Sequence, residues 1–393
     1  DGIRDATGGL VGSEMCIRDR YQPVSLRSYK ADGEASSFII HTEDGDEALV
    51  YREAFSVQPD PVKVSTQVRA EVVYVGYGVH APDQGYSDYD GIDVSGKIVA
   101  LYGGAPEGFD GEKRAFYASS SAKRKELVSR GAVGAISLRS RKNEKDSPWE
   151  DAKKRIGRRA SMTWVNSAGE AARHFPEIRG VAYVSPRAGE KLFANAPLSY
   201  EESLDAMEAG TAASVSLGIE VTIAGETKHD ALASPNVVGV VRGTDPRLAN
   251  EYVVYTAHLD HVGMREDDGE QLIFNGAYDN AMGVALMLET ARAIAAVPPR
   301  RSVLFVAVTA EEKGLLGSDF FINDPTVPPG AIVANINLDM PLFLYPVADL
   351  VAFGSENSTL QGVARVAAEA EGFSLSPDPM PEENLFVRSD QYS

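Results

Sequence analysis

The chain has 393 residues, long for a single core, so two domains are expected. Hydrophobic residues make up 44% and charged residues 24%, the balance of an ordinary globular protein, and the net charge of −19 argues against nucleic acid, whose phosphates need clustered Lys and Arg. No apolar run approaches the ~18 residues of a membrane span, and a lone cysteine, Cys16, leaves neither a disulfide framework nor a thiolate metal site.

Residues 8–20, "GGLVGSEMCIRDR", show no periodicity and resemble translated sequencing-adapter read-through. Residues 1–20 are therefore set aside as a non-native or disordered segment. A short polar region with turn signals leads to a strongly β stretch, "VRAEVVYVGYGV" (68–79), and then to the strand "KIVALY". "SSSAKRKELVSRGAVGAISL" (119–138) predicts a helix closed by Gly131 and followed by a second apolar strand. Residues 139–215 are looser and carry no strong motif; the basic stretch 139–159 is broken by acids, Pro and Trp, as in a solvated loop or helix face.

From about residue 216 strands and helices alternate regularly. "NVVGVVRG" (236–243), "EYVVYTAH" (251–258), "SVLFVAVT" (302–309), "AIVANINLD" (331–339) and "LVAFG" (350–354) read as strands. "NAMGVALMLETARAIAAV" (280–297), stopped by Pro298 and Pro299, "GLLGSDFFIND" and "STLQGVARVAAEAEGF" read as helices. The alternation predicts an α/β sheet layered with helices.

Ligands of open α/β sheets bind beyond the carboxyl ends of the strands. At those ends stand His258 with Asp260, Glu311 with Glu312, and Asp339, while Asp279 opens the long helix. Each has an ordinary structural reading alone, as a capped turn, a first-turn acid or a strand end. Together they gather like charges that repel unless a cation neutralises them. Carboxylates with imidazole and no thiolate suit zinc, and their number suits a two-metal site bridged by one carboxylate. Asp279 is the expected bridge, favoured by the helix N-terminus. His258 and Asp260, at i and i+2, share one side of an extended chain, so Asp260 is expected to orient His258; His261 falls on the opposite phase and is given a structural role. Of the two adjacent glutamates, one can hold metal while the other takes a proton from water.

"TAHLDH", "NGAYDNAMGVA", "VAVTAEEKGLLGS" and "NINLDM", in this order, resemble the two-zinc exopeptidases of the aminopeptidase and glutamate carboxypeptidase family. Residues 71–106 resemble the start of the protease-associated domain often inserted in these enzymes. The resemblance implies a mixed, largely parallel sheet sandwiched by helices, with 21–67 as the N-terminal part of the peptidase domain, 68–215 as the insert and 216–393 as the catalytic domain. It implies His258, Asp279, Glu312 and Asp339 as metal ligands, Glu311 as general base and Asp260 as support for His258. It implies a peptide substrate, two zinc ions, and export to the periplasm or beyond.

The family completes its second metal with a histidine after an "SD" segment, whereas no histidine follows His261 here and the chain stops at "RSDQYS". The expectation is thus of a protein that continues further, and of at most one tightly bound zinc with little activity in this piece. Arg388 and Tyr392 are candidate pocket residues. "SSAK" (Ser120–Lys123) lacks the companion motifs of a serine–lysine hydrolase and reads as an N-capped helix start. The alternatives are a carboxypeptidase, deacylase or glutaminyl cyclase on the same scaffold, and a non-catalytic receptor-like relative.

Overall fold

The computed structural model describes residues 20–211, 213–267, 270–341 and 346–393. The segment set aside above, with Cys16, lies outside the described residues apart from Arg20. The chain divides into two compact units, Arg27–Ala231 and Leu232–Ser393, the latter joined by residues 20–26.

In Arg27–Ala231, the strands Ser65–Tyr74, Ile98–Tyr102, Gly134–Leu138 and Val181–Val184 run parallel in that order. Phe55–Val57 pairs antiparallel with Val181–Val184, and residues 215–226 pair antiparallel with Ser65–Tyr74. The motif-poor stretch 139–215 carries the helices Arg141–Asp146, Pro186–Leu192 and Tyr200–Glu208. Each is opened by a serine whose hydroxyl accepts a backbone N–H, namely Ser140, Ser185 and Ser199. Helices this short span too few turns for periodicity to mark them. Several of the basic side chains of 139–159 are engaged by acids: Arg141 meets Glu208 at 2.6 Å and Asp205 at 2.7 Å, and Lys153 meets Glu53 at 2.7 Å.

The "SSAK" lysine has a structural task. Its helix, Ser120–Ser129, is capped by Ser119, whose hydroxyl accepts the Ala122 N–H. Lys123 is buried, and its Nζ donates to the carbonyls of Tyr77 (2.6 Å), Tyr102 (3.0 Å) and Gly104 (2.5 Å). An ammonium carries three protons, and all are placed here. Lys123→Met leaves these carbonyls without their donor, and a loss of about 3 kcal/mol or more is expected in urea unfolding. An unchanged midpoint would mean that the carbonyls find other partners.

In Leu232–Ser393 the strand order is Ile332–Asn337, Tyr252–His258, Ser302–Val308 and then residues 237–241. The first three are parallel and the last is antiparallel, which is the mixed, largely parallel sheet expected. Ser302–Val308 is buried at every position, and its side chains divide by parity. Leu304, Val306 and Val308 pack with Phe321 of the helix Leu316–Asn323. Val303, Phe305 and Ala307 pack with Met287 and Ala291 of the helix Met282–Ala296. Helices thus cover both faces, and a strand buried on both faces must read as an unbroken apolar run. Among the described residues no helix is long and apolar enough to cross a membrane.

Candidate metal centre

The parallel register places three strand ends at one rim of the sheet. His258 lies opposite Val308, the Leu259 N–H donates to the Val308 carbonyl at 2.9 Å, and the Leu338 N–H donates to Thr256 at 2.9 Å. The chain then turns sharply after Thr309. Ala310 adopts the left-handed region (φ 55°), uncommon for a residue with a Cβ, and the short turn Glu311–Lys313 follows. Asp339 emerges one residue past Leu338.

Asp279 departs from the expected helix N-terminus. The regular helix begins only at Met282; Asp279 sits before it in an irregular turn (φ −112°, ψ 93°), joined to Asn280 by a cis peptide. What fixes it is Asn280, a buried residue that sequence reasoning did not single out. Asn280 Nδ2 donates to the Leu338 carbonyl (2.9 Å), and its Oδ1 accepts the N–H groups of Gly283 (3.1 Å) and Met340 (3.2 Å). A Cβ on Gly283 would lie 2.2 Å from that Oδ1, so only glycine admits the clamp. Asn236 performs a similar task at the neighbouring strand: Nδ2 donates to Gly317 (2.9 Å), and Oδ1 accepts the Thr309 N–H (3.0 Å). Asn280→Ala frees the Asp279 turn from the Asp339 turn, so metal affinity is expected to fall about 10–100-fold, as for other supports of a ligand shell. A zinc titration checks this; affinity within about twofold of wild type would show that the turn holds without Asn280.

Four of the six sequence-predicted residues, with His261, form two clusters of three. His258, Asp279 and Asp339 make one, and His261, Asp279 and Glu312 the other, each with its ligand atoms within 4.8 Å of one another. In the first, His258 Nε2 lies 3.1 Å from Asp279 Oδ1 and 3.2 Å from Asp339 Oδ1. In the second, His261 Nδ1 lies 2.7 Å from Glu312 Oε1 and 3.6 Å from Asp279 Oδ2. Asp279 therefore turns one carboxylate oxygen to each cluster. Although His261 Nδ1 and Glu312 Oε1 are close, they are not aligned as a hydrogen bond, and both atoms are buried without a partner. Lone pairs converging in this way, from imidazoles and carboxylates with no thiolate, fit a borderline cation such as zinc.

The charges tell the same story. Burial lowers the His258 pKa, but the hydrogen bond and charge of Asp339, with Glu311 and Asp390, carry it up to about 9. Burial pushes Glu311 up to about 8 against the pull of His258, with Asp390, Asp339 and Glu312 adding to the rise. Asp339 is held down despite its burial, because His258 and Ser389 hydrogen-bond to it. Protons held this firmly by crowded acids mark a place where a cation would relieve the repulsion.

Asp260 acts differently from the expectation. Its carboxylate lies 3.9 Å from His258 Nδ1, too far for a hydrogen bond, and it is the backbone carbonyl that meets Nδ1, at 3.1 Å. The carboxylate instead accepts the N–H groups of Glu311 (2.9 Å) and Glu312 (3.3 Å), and so holds the turn that bears both glutamates. In the "SD" segment, Ser389 donates to Asp339 Oδ2 at 2.5 Å, and Asp390 is buried with Oδ1 accepting from Ser318 at 2.7 Å. Arg388 is exposed and 3.6 Å from Glu383, and Tyr392 meets Phe386 edge-on.

A mixed α/β unit carrying paired histidine–carboxylate clusters at its carboxyl rim defines a protein built around a candidate metal centre. Residues 236–393, about 40% of the chain, match the model of Peptidase family M28. The chain is 34% identical over 109 residues to Aminopeptidase YwaD of Bacillus subtilis (strain 168), covering 27% of this chain and 22% of the relative. It is 31% identical over 134 residues to Aminopeptidase NAALADL1 of Mus musculus, covering 32% of this chain and 16% of that one. The matches thus span under a quarter of either relative's length. Among solved structures, an aminopeptidase from Aneurinibacillus sp. strain AM-1 aligns at 18% identity over 100% of this chain and 80% of its own, with a TM-score of 0.46.

Proposed function

We propose that the chain forms part of an aminopeptidase, a metal-dependent exopeptidase that removes N-terminal residues from peptides. Two zinc ions would be held by His258, Asp339, Asp279 and Glu312. The observation that carries this reading is the Asp279 carboxylate, with Oδ1 on the His258 side and Oδ2 on the His261 side. Bound there, zinc supplies Lewis acidity toward a peptide carbonyl and toward water. Glu311 belongs to neither cluster yet feels the charges of His258, Asp339 and Glu312, and in the proposed reaction its carboxylate takes the proton of the attacking water and passes it to the leaving amine. Asp260 fixes that glutamate by its N–H. Relatives named as aminopeptidases support the choice within the family. With the same reading we carry export to the periplasm or beyond, and a protease-associated insert at residues 68–215.

The test compares a peptide with a free N-terminus against the same peptide N-acetylated, before and after chelation and zinc restoration. Release of the first residue from the free peptide alone, lost on chelation and restored by zinc, is the expected result. Release of C-terminal residues from the acetylated peptide would make the enzyme a carboxypeptidase, and turnover indifferent to chelation would remove the metal from the mechanism.

A further inference from the structure

We infer that His261 is a metal ligand, so that the four residues 258–261 deliver one imidazole to each of two ions. The inference rests on the two-cluster reading above and adds to it the residue that completes the second cluster. His258 ends a strand, and the chain leaves extended geometry directly after it: the Asp260 carbonyl turns back to His258 Nδ1 at 3.1 Å. That turn swings His261 to the Glu312 side of Asp279, where its Nδ1 meets Glu312 Oε1 at 2.7 Å. The hairpin Gly263–Asp267 and Glu270–Phe274 then returns the chain toward its start, Gly263 pairing with Phe274. At Gly276 a Cβ would lie 2.8 Å from His261 Cβ and 2.9 Å from the Asp279 carbonyl, so the glycine (φ 67°) lets the ring and the bridging aspartate sit together. Both ends of the hairpin thus carry a ligand, His261 at its start and Asp279 past its end.

An ion pair between His261 and Glu312 would align an N–H with a carboxylate lone pair, and that alignment is missing: each atom is buried and partnerless at 2.7 Å. Two lone pairs facing a shared point leave room for a cation as the third party. The expectation of a single tight zinc assumed that an imidazole for the second ion had to come from beyond His261. His261 supplies one within the chain.

The test is zinc-binding calorimetry on the chelator-stripped chain, with cobalt absorption spectra as a second readout and circular dichroism as the folding check. Wild type is expected to take two equivalents. His261→Ala and the more conservative His261→Gln are expected to keep the first equivalent and to weaken the second on the order of 100-fold, with one set of cobalt bands lost. His258→Ala is expected to give the reverse, losing the other equivalent. Two equivalents retained in folded His261→Gln with affinities near wild type would overturn the inference and leave the two-ion reading standing. A wild type that takes only one equivalent, unaffected by His261→Gln, would also overturn it. A wild type that takes none would sink the metal reading itself.

Discussion

Glu311→Gln is expected to lower kcat by about 10²–10⁴-fold, the usual contribution of a positioned general base, with zinc content unchanged. The substitution keeps the side chain's size and removes only its capacity to accept a proton. The turn that carries it is fixed by the backbone: Ala310 is in the left-handed region, and Asp260 accepts the N–H groups of residues 311 and 312. Neither constraint uses the Glu311 carboxylate, so the fold of the rim survives the change. Because Glu311 lies in neither ligand cluster, both clusters keep their full sets. The informative measurement therefore pairs the rate on a free-N-terminus peptide with the metal content of the same preparation. A variant that loses zinc would make Glu311 a ligand, and one that keeps most of its kcat would move the base elsewhere.

The sheet and the acidic rim were legible in the sequence because each rests on a local rule. Ser302–Val308 is a run of seven buried residues, and such a run can only be a strand covered on both faces. Ends of parallel strands lie at one rim, so His258, Glu311, Glu312 and Asp339 could be brought together without coordinates. His261 was misplaced for an equally specific reason. Its side was assigned by the twofold alternation of an extended strand, but the strand stops at His258, and alternation means nothing in the turn that follows. Asp260 likewise faces the Glu311 turn with its carboxylate, because past the strand end the i, i+2 rule no longer holds. Asn280 and Asn236 were passed over because a buried amide that satisfies backbone groups from distant loops leaves no periodic trace. Asn280 leaves one visible signal, the glycine three residues on that admits the close approach in "DNAMG", whereas the glycine beside Asn236 is the distant Gly317. Lys123 could not have been read at all: three carbonyls from two separate stretches of chain define its cradle.

Asp279→Asn should cost both ions rather than one, and this separates a bridge from an ordinary ligand. Each oxygen of the wild-type carboxylate faces a different histidine, Oδ1 at 3.1 Å from His258 and Oδ2 at 3.6 Å from His261. An amide keeps the shape but offers one oxygen lone-pair face and carries no charge, so each cluster loses an anionic donor or its only shared one. Zinc bound to the native state at 100 times its Kd stabilises that state by about 2.7 kcal/mol per site. The Asp279→Asn chain is expected to forfeit most of that gain for both sites, so its thermal unfolding should respond little to added zinc while wild type shifts upward. Loss of one equivalent only, with the zinc-induced shift halved, would assign Asp279 to a single cluster. The contrast with Glu311→Gln is then complete: one substitution removes turnover and keeps the metal, and the other removes the metal and with it the turnover.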